Sequence, residues 1–159
     1  MSRMKKHILL SFSLAFIFMT QLATAQENNT DYRFGVGVRL STAAPTISNS
    51  VSVKYFMYNG NALEGLISFG SRFGIGGLYE FHKPINSAPG LQWFFGGGAY
   101  VGFQSGDTYL GPTGVIGLDY KFTNIPLNLS LDWKPELDFL PKINFVPDAL
   151  AFTARFTIQ

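Results

Sequence analysis

Cysteine is absent from this sequence of 159 residues, and charged residues make up only 14% of it. The first absence excludes a disulfide scaffold, a thiolate zinc site, a cysteine nucleophile and a lipid anchor on an N-terminal cysteine. The low charged fraction provides few residues for a surface in contact with water, since a typical soluble domain is about 25% charged. Only one histidine, His82, lies beyond the first 25 residues, which gives poor ligation for a transition metal. We therefore expect neither a metal site nor a cofactor.

The apolar run near the N-terminus is too short for a spanning helix, which needs about 20 residues. It covers residues 8–19 and follows three basic residues, Arg3, Lys5 and Lys6. Ala23-Thr24-Ala25 then provides the small-x-small sequence of a cleavage site. Residues 1–25 therefore fit a cleavable signal peptide better than an N-terminal membrane anchor.

Residues 1–25 contain three basic residues and no acidic one, so their removal lowers the formal net charge from +2 to −1. The remaining chain is nearly neutral. A neutral chain gives no reason to expect a nucleic-acid partner. Residues 26–31 are a short polar segment, and residues 32–159 are long enough for a single domain outside the cytoplasm.

Large apolar residues occupy every second position in eight segments of that domain. Between Arg33 and Leu40, for example, apolar side chains alternate with Gly and Arg, as in a strand with one apolar face. The other segments cover residues 51–57, 63–69, 73–82, 91–103, 116–122, 127–134 and 150–158. Turn residues separate them, and none has a helical period. We expect eight strands, with long loops at residues 42–50, 104–111 and 135–148.

Ten charged residues fall within these segments, all on the face opposite the large apolar side chains. They are Arg33, Arg39, Lys54, Glu64, Glu80, Asp119, Lys121, Asp132, Lys134 and Arg155. A basic residue on a lipid-facing surface costs about 2–4 kcal/mol at the bilayer midplane, so the pattern predicts an apolar exterior and a charged lumen. The fold class predicted is all-β, an eight-stranded antiparallel up-and-down transmembrane β-barrel. Its lumen is filled by an ion-pair network and is not an open pore.

His82 carries the main alternative. With Glu80 two residues away on the same face, it could serve as the base of an outer-membrane lipid-modifying hydrolase. A histidine in a hydrogen-bond network at the lumen mouth is the simpler interpretation. A weaker alternative is a soluble periplasmic lipid-binding barrel, with Phe34, Trp93 and Leu129 lining a cavity. The glycine-rich stretches match neither a dinucleotide fingerprint nor a phosphate loop.

The segment from Pro135 to Asp148 is unusually apolar for a loop and holds three prolines. We expect the last two strands to project as a hairpin that turns near Pro141-Lys142, with an edge that an extracellular partner strand could use. The candidate partner-binding residues are Leu137, Phe139, Ile143 and Phe145. The alternative is a loop that folds back over the barrel mouth.

The chain resembles the small eight-stranded outer-membrane barrels, which include the OmpA membrane domain, OmpX and opacity-type proteins. Two segments more narrowly resemble uncharacterised small barrels of Bacteroidota-type Gram-negative bacteria. They are EFHKPINSAPGLQWFFGGGAYVGF (residues 80–103) and GLDYKFTNIPLNLSLDWKPELD (residues 117–138). The resemblance implies residence in outer-membrane lipid, assembly by the barrel-insertion machinery and no enzymatic activity. Such barrels often end on an aromatic residue, whereas here Phe156 lies three residues before the end.

Overall fold

The computed structural model describes residues 32–147 and 150–158, which form ten β-strands and no helix. The strands are β1 (Phe34–Ser41), β2 (Ser50–Phe56), β3 (Asn61–Phe69), β4 (Phe73–Pro84), β5 (Leu91–Gln104), β6 (Asp107–Lys121), β7 (Leu127–Trp133), β8 (Glu136–Asp138), β9 (Asn144–Val146) and β10 (Leu150–Ile158). Over these two ranges, no helix has the length and apolarity needed to cross a membrane. The predicted signal peptide and the polar segment at residues 26–31 lie outside the described residues.

Eight of the strands close into an antiparallel up-and-down barrel in the order β1-β2-β3-β4-β5-β6-β7-β10. The closing pair is β10 with β1, in register from Phe34 opposite Ile158 to Ser41 opposite Ala151. The predicted fold class, an all-β eight-stranded barrel, is confirmed. We call the end that holds the start of β1 and the end of β10 the terminal end, and the opposite end the distal end.

The strands place their apolar residues outside and their charged residues inside. On β1, Val38 is 58% exposed whereas the adjacent Arg39 is fully buried. The same alternation follows the other barrel strands, because successive side chains point to opposite faces. Phe34, Trp93 and Leu129 share the outer face, so they do not line a cavity as the soluble lipid-binding alternative requires.

Strands β5 and β6 are the longest and continue past the expected loop at residues 104–111. They are joined only by Ser105 and Gly106, both with positive φ (52° and 89°), as a two-residue hairpin turn of the primed type requires. The prediction of a loop there was therefore wrong. Gly111, Pro112 and Gly114 interrupt the apolar alternation, which conceals the first half of β6 in the sequence.

The loop at residues 42–49 turns inward and closes the distal end. We call it the plug. Its Thr46 and Ile47 are buried, and Ile47 belongs to an apolar cluster inside the barrel that also contains Leu66 and Phe94. Glycines leave the space that the plug fills: a Cβ added at Gly74 would lie 2.6 Å from the carbonyl oxygen of Thr46.

Strands β8 and β9 form the predicted hairpin between β7 and β10, with Leu137 opposite Phe145. Strand β8 pairs with β6 at Thr113 and Glu136, so β5, β6, β8 and β9 make a sheet at the distal end, which we call the distal sheet. Within the described residues β9 has no neighbour on its other side, because the chain after β1 turns inward as the plug.

Candidate functional site: the charged barrel interior

Eight of the ten charged residues proposed for the lumen are buried inside the barrel. They are Arg39, Lys54, Glu64, Glu80, Asp119, Asp132, Lys134 and Arg155. The interpretation is wrong for Arg33, which is exposed with its guanidinium 4.3 Å from the ring centre of Tyr58. It is also wrong for Lys121, whose ammonium lies at the terminal rim and donates to the carbonyl oxygens of Phe122 and Ile125.

Arg155 is the centre of the hydrogen-bond network. Its Nε donates to Ser52 Oγ at 2.7 Å, its Nη1 donates to Ser130 Oγ at 2.7 Å, and its Nη2 pairs with Glu64. Glu64 in turn accepts a hydrogen bond of 2.5 Å from Ser52. The planar guanidinium suits this position because its fixed fork of donors can satisfy several acceptors at once.

Lys54 lies among three carboxylates. Its Nζ is 2.7 Å from Glu80, 3.5 Å from Asp119 and 3.7 Å from Glu64. We call these four residues and Arg155 the central cluster. With three carboxylates and two basic groups, the cluster has a formal charge of −1 when every member is ionised.

Ion pairs in the distal half hold the plug in place. Glu136 accepts hydrogen bonds from the backbone N–H groups of Thr46 and Ile47, at 3.2 and 2.8 Å, and pairs with Lys134 at 3.0 Å. Arg72 donates both to Asp138, at 3.1 Å, and to the Thr46 hydroxyl, at 3.0 Å. The plug is thereby tied to β8 and to the turn before β4.

Arg39 and Asp132 form a separate pair that spans the closing strands of the barrel. Two guanidinium nitrogens donate to the two carboxylate oxygens at 2.5 and 2.7 Å, and both side chains are buried. Bidentate pairs of this kind are stronger and more directional than single contacts.

Sequence reasoning missed Arg72, Glu136 and Asp138 as members of this interior. Arg72 lies in the short turn between β3 and β4, where no periodicity is present. Glu136 and Asp138 were findable, because they continue the inward positions Asp132 and Lys134 at intervals of two residues. Pro135 made the segment read as a loop and concealed that continuation.

Aromatic rings close the terminal half of the lumen. Tyr32 packs edge-on against Phe56 (5.0 Å between ring centres), Phe56 against His82 (4.7 Å), and His82 stacks on Phe94 at 4.9 Å. We call these four residues the aromatic stack. Burial, followed by the nearby Asp119 charge, raises the pKa of the Tyr32 hydroxyl well above its usual value.

His82 is inside this stack and only 1% exposed. Its Nε2 lies 2.8 Å from Glu80 Oε2, the same oxygen that contacts Lys54. Glu80 therefore connects the histidine to the central cluster. Among the described residues no group of three or more His, Cys, Asp or Glu side chains is placed to hold a metal ion.

The hairpin residues proposed to bind a partner lie at the surface of the distal sheet. Phe139, Ile143 and Phe145 are exposed, with Ile143 at 80%, and Leu137 is half-buried. Their neighbours Glu136 and Asp138 point into the barrel. The hairpin thus has a polar inner face and an apolar outer face.

Comparison with known proteins finds no matching family model, curated protein or solved structure.

Proposed function

We propose that this chain is an integral outer-membrane β-barrel of a Gram-negative envelope, with a structural or surface-interaction role and no enzymatic activity. The observation that carries the proposal is the reversal of the usual distribution of side chains. Large apolar residues such as Val36, Val53 and Phe152 are exposed around the wall, whereas Arg and Lys are buried. Water would penalise such a surface by roughly 25 cal/mol for each Å² of apolar area, whereas lipid would not.

Aromatic residues at the terminal rim support the same location. Outward-facing rings contact one another there: Tyr79 and Phe81 at 5.0 Å, Phe81 and Phe95 at 5.3 Å, and Trp93 and Phe95 at 5.4 Å between centres. Girdles of this kind are typical of the interfaces of membrane barrels. With the chain ends in the periplasm, as in bacterial outer-membrane barrels, the plug and the distal sheet face outward.

The filled interior favours a structural role over transport. The aromatic stack closes one end of the lumen, the plug closes the other, and ion pairs occupy the space between them. Small eight-stranded barrels are in general filled by their own side chains.

The hydrolase alternative is less well supported because His82 is enclosed by the rings of Phe56 and Phe94. A hydrolytic base needs to reach its substrate within hydrogen-bond distance. In the orientation above His82 also lies in the periplasmic half, away from lipids of the outer leaflet. His82→Ala should therefore leave the protein's role unchanged, whereas loss of a lipid-modifying activity would support the alternative.

The distal sheet is the surface that we assign to an extracellular partner. Among the described residues, strand β9 has no partner on one of its edges, and Phe139, Ile143 and Phe145 flank it with exposed apolar area. This combination supports strand addition. Replacing residues 139–145 with a short Gly-Ser turn should abolish surface binding while the barrel still folds. Unchanged binding after that replacement would refute the partner assignment.

Cell fractionation tests the location directly. We expect the mature chain in the outer-membrane fraction, with a band on SDS gels that migrates differently before and after boiling, because a closed barrel resists the detergent until it is heated. A soluble periplasmic protein with no such shift would overturn the proposal.

A further inference from the structure

A cavity of about 190 Å³ opens at the terminal end of the barrel, between the β4–β5 turn and the aromatic stack. Phe56, Ile85 and Leu91 supply apolar parts of its wall. The turn is held over the cavity by backbone hydrogen bonds, including one of 2.8 Å from Lys121 N–H to the Gly90 carbonyl oxygen. Since an apolar cavity of about 150 Å³ can hold benzene, this one has room for a small organic molecule.

Three residues of the cavity wall carry a buried oxygen that lacks a hydrogen-bond partner within the described residues. The atoms are the Tyr32 hydroxyl, Gln92 Oε1 and Asp119 Oδ2. Tyr32 and Asp119 are each 3% exposed, and the contact of Asp119 Oδ2 with Lys54 is a long one of 3.5 Å. Buried polar atoms nearly always have a partner, so this grouping indicates a ligand that donates hydrogen bonds.

The charge around the cavity favours a cation. Asp119 is the only carboxylate among the described residues of the cavity wall, and its unpartnered oxygen would repel an anion. Lys121 also lines the cavity, but its ammonium already donates to the carbonyl oxygens of Phe122 and Ile125. The groups without partners in the described part of the wall are thus a hydroxyl, an amide oxygen and a carboxylate oxygen, and each of them can accept a hydrogen bond.

We propose that this cavity binds a small primary alkylammonium ion. Such an ion has three N–H donors and no acceptor, which matches the oxygens of Tyr32, Gln92 and Asp119. Its alkyl part would pack against Phe56, Ile85 and Leu91. The assignment is independent of the membrane location, because it depends only on the terminal end of the barrel.

Propylammonium chloride is the probe, added to the ¹⁵N-labelled chain refolded in detergent micelles. We expect saturable shifts of the amide signals of Gly90, Gln92 and Lys121 in NMR spectra. The neutral analogue 1-propanol and the anion propionate should not produce them. Equal shifts with 1-propanol would overturn the proposal, as would saturation of the same shifts by sodium chloride at the same concentration.

Variants locate the binding site. Tyr32→Phe removes one unpartnered oxygen and should weaken binding several-fold, and Asp119→Asn should weaken it at least tenfold. Asp107→Asn, an acid-to-amide change at the exposed first residue of β6 at the distal end, is the matched control and should leave the affinity unchanged. If Asp119→Asn fails to fold, Tyr32→Phe decides the matter, because unchanged affinity in that variant would refute the site.

Discussion

Two arginines inside this barrel are each held by several acceptor atoms. Arg155 has acceptors on β2, β3 and β7, and Arg39 has both oxygens of Asp132. A buried charge that loses its partner is costly, because neither water nor the apolar wall can replace the lost interaction. The stability of the interior therefore depends on pairs and not on single residues.

The Arg39–Asp132 pair provides a direct test. Arg39→Leu should lower the free energy of unfolding by about 3–5 kcal/mol, because it leaves Asp132 buried and unpaired. The double variant Arg39→Leu/Asp132→Leu should recover most of that loss. Urea denaturation of the refolded protein measures both values. A double variant as unstable as the sum of the two single variants would contradict the pairing argument.

Arg33 supplies the control for that experiment. It is exposed, with its guanidinium over the ring of Tyr58, so Arg33→Leu should change the free energy of unfolding by no more than about 1 kcal/mol. The comparison also shows where sequence reasoning fails at this scale. Alternation assigns each residue a face, but it does not say where the wall ends, and Arg33 and Lys121 lie at the rim.

At the scale of elements, the plug is the part that the sequence concealed. Residues 42–49 have no period, and their inward course depends on contacts with Glu136 and Arg72, which are distant in the chain. The strands were predictable because the alternating polarity of each segment identifies its two faces. A loop that folds into a lumen has no such pattern in its sequence. Only the glycines opposite the plug, such as Gly74, indicate that space is needed there.

The fit between the plug and β4 gives the second prediction. Gly74→Ala places a Cβ 2.6 Å from the Thr46 carbonyl oxygen, so the plug has to shift and the free energy of unfolding should fall by about 1–3 kcal/mol. Gly77→Ala is the matched control, because nothing lies within 4 Å of its added Cβ. Urea denaturation and proteinase K cleavage measure the effect. Equal stability of the two variants would show that the plug does not pack as described.

At the scale of the whole molecule, the sidedness of the wall followed from the sequence because a barrel has only two faces. Ten charges on one parity and large apolar residues on the other favoured a charged lumen, although the same alternation also fitted a soluble barrel with its faces exchanged, and the structure buries eight of those charges. The alternation could not show how the ends are closed, since the aromatic stack and the plug use residues from several strands and loops. The cavity beside the stack was likewise invisible, because Tyr32, Gln92 and Asp119 are far apart in the chain.

The proposed lipid-facing exterior makes the third prediction. Val38 is exposed in the middle of β1, opposite Val51 on one side and Ala154 on the other. Val38→Arg should lower the stability of the folded barrel in phosphatidylcholine vesicles by about 2–4 kcal/mol, because it places a charge in the hydrocarbon core. Val38→Leu should have little effect. Equal stability of the two variants in vesicles would place this surface outside the hydrocarbon region.

The contacts of Arg155 have a consequence for how the barrel wall can move. From β10 this side chain reaches beneath β1 to Ser52 and Glu64, which are 103 and 91 residues earlier in the chain, and Arg39 joins β1 to Asp132 over a separation of 93 residues. Inside the barrel, side chains from both β1 and β10 therefore cross the seam between these two strands to reach partners on the far side. Parting that seam would unpair four buried charges at once, so we expect this seam to resist lateral opening.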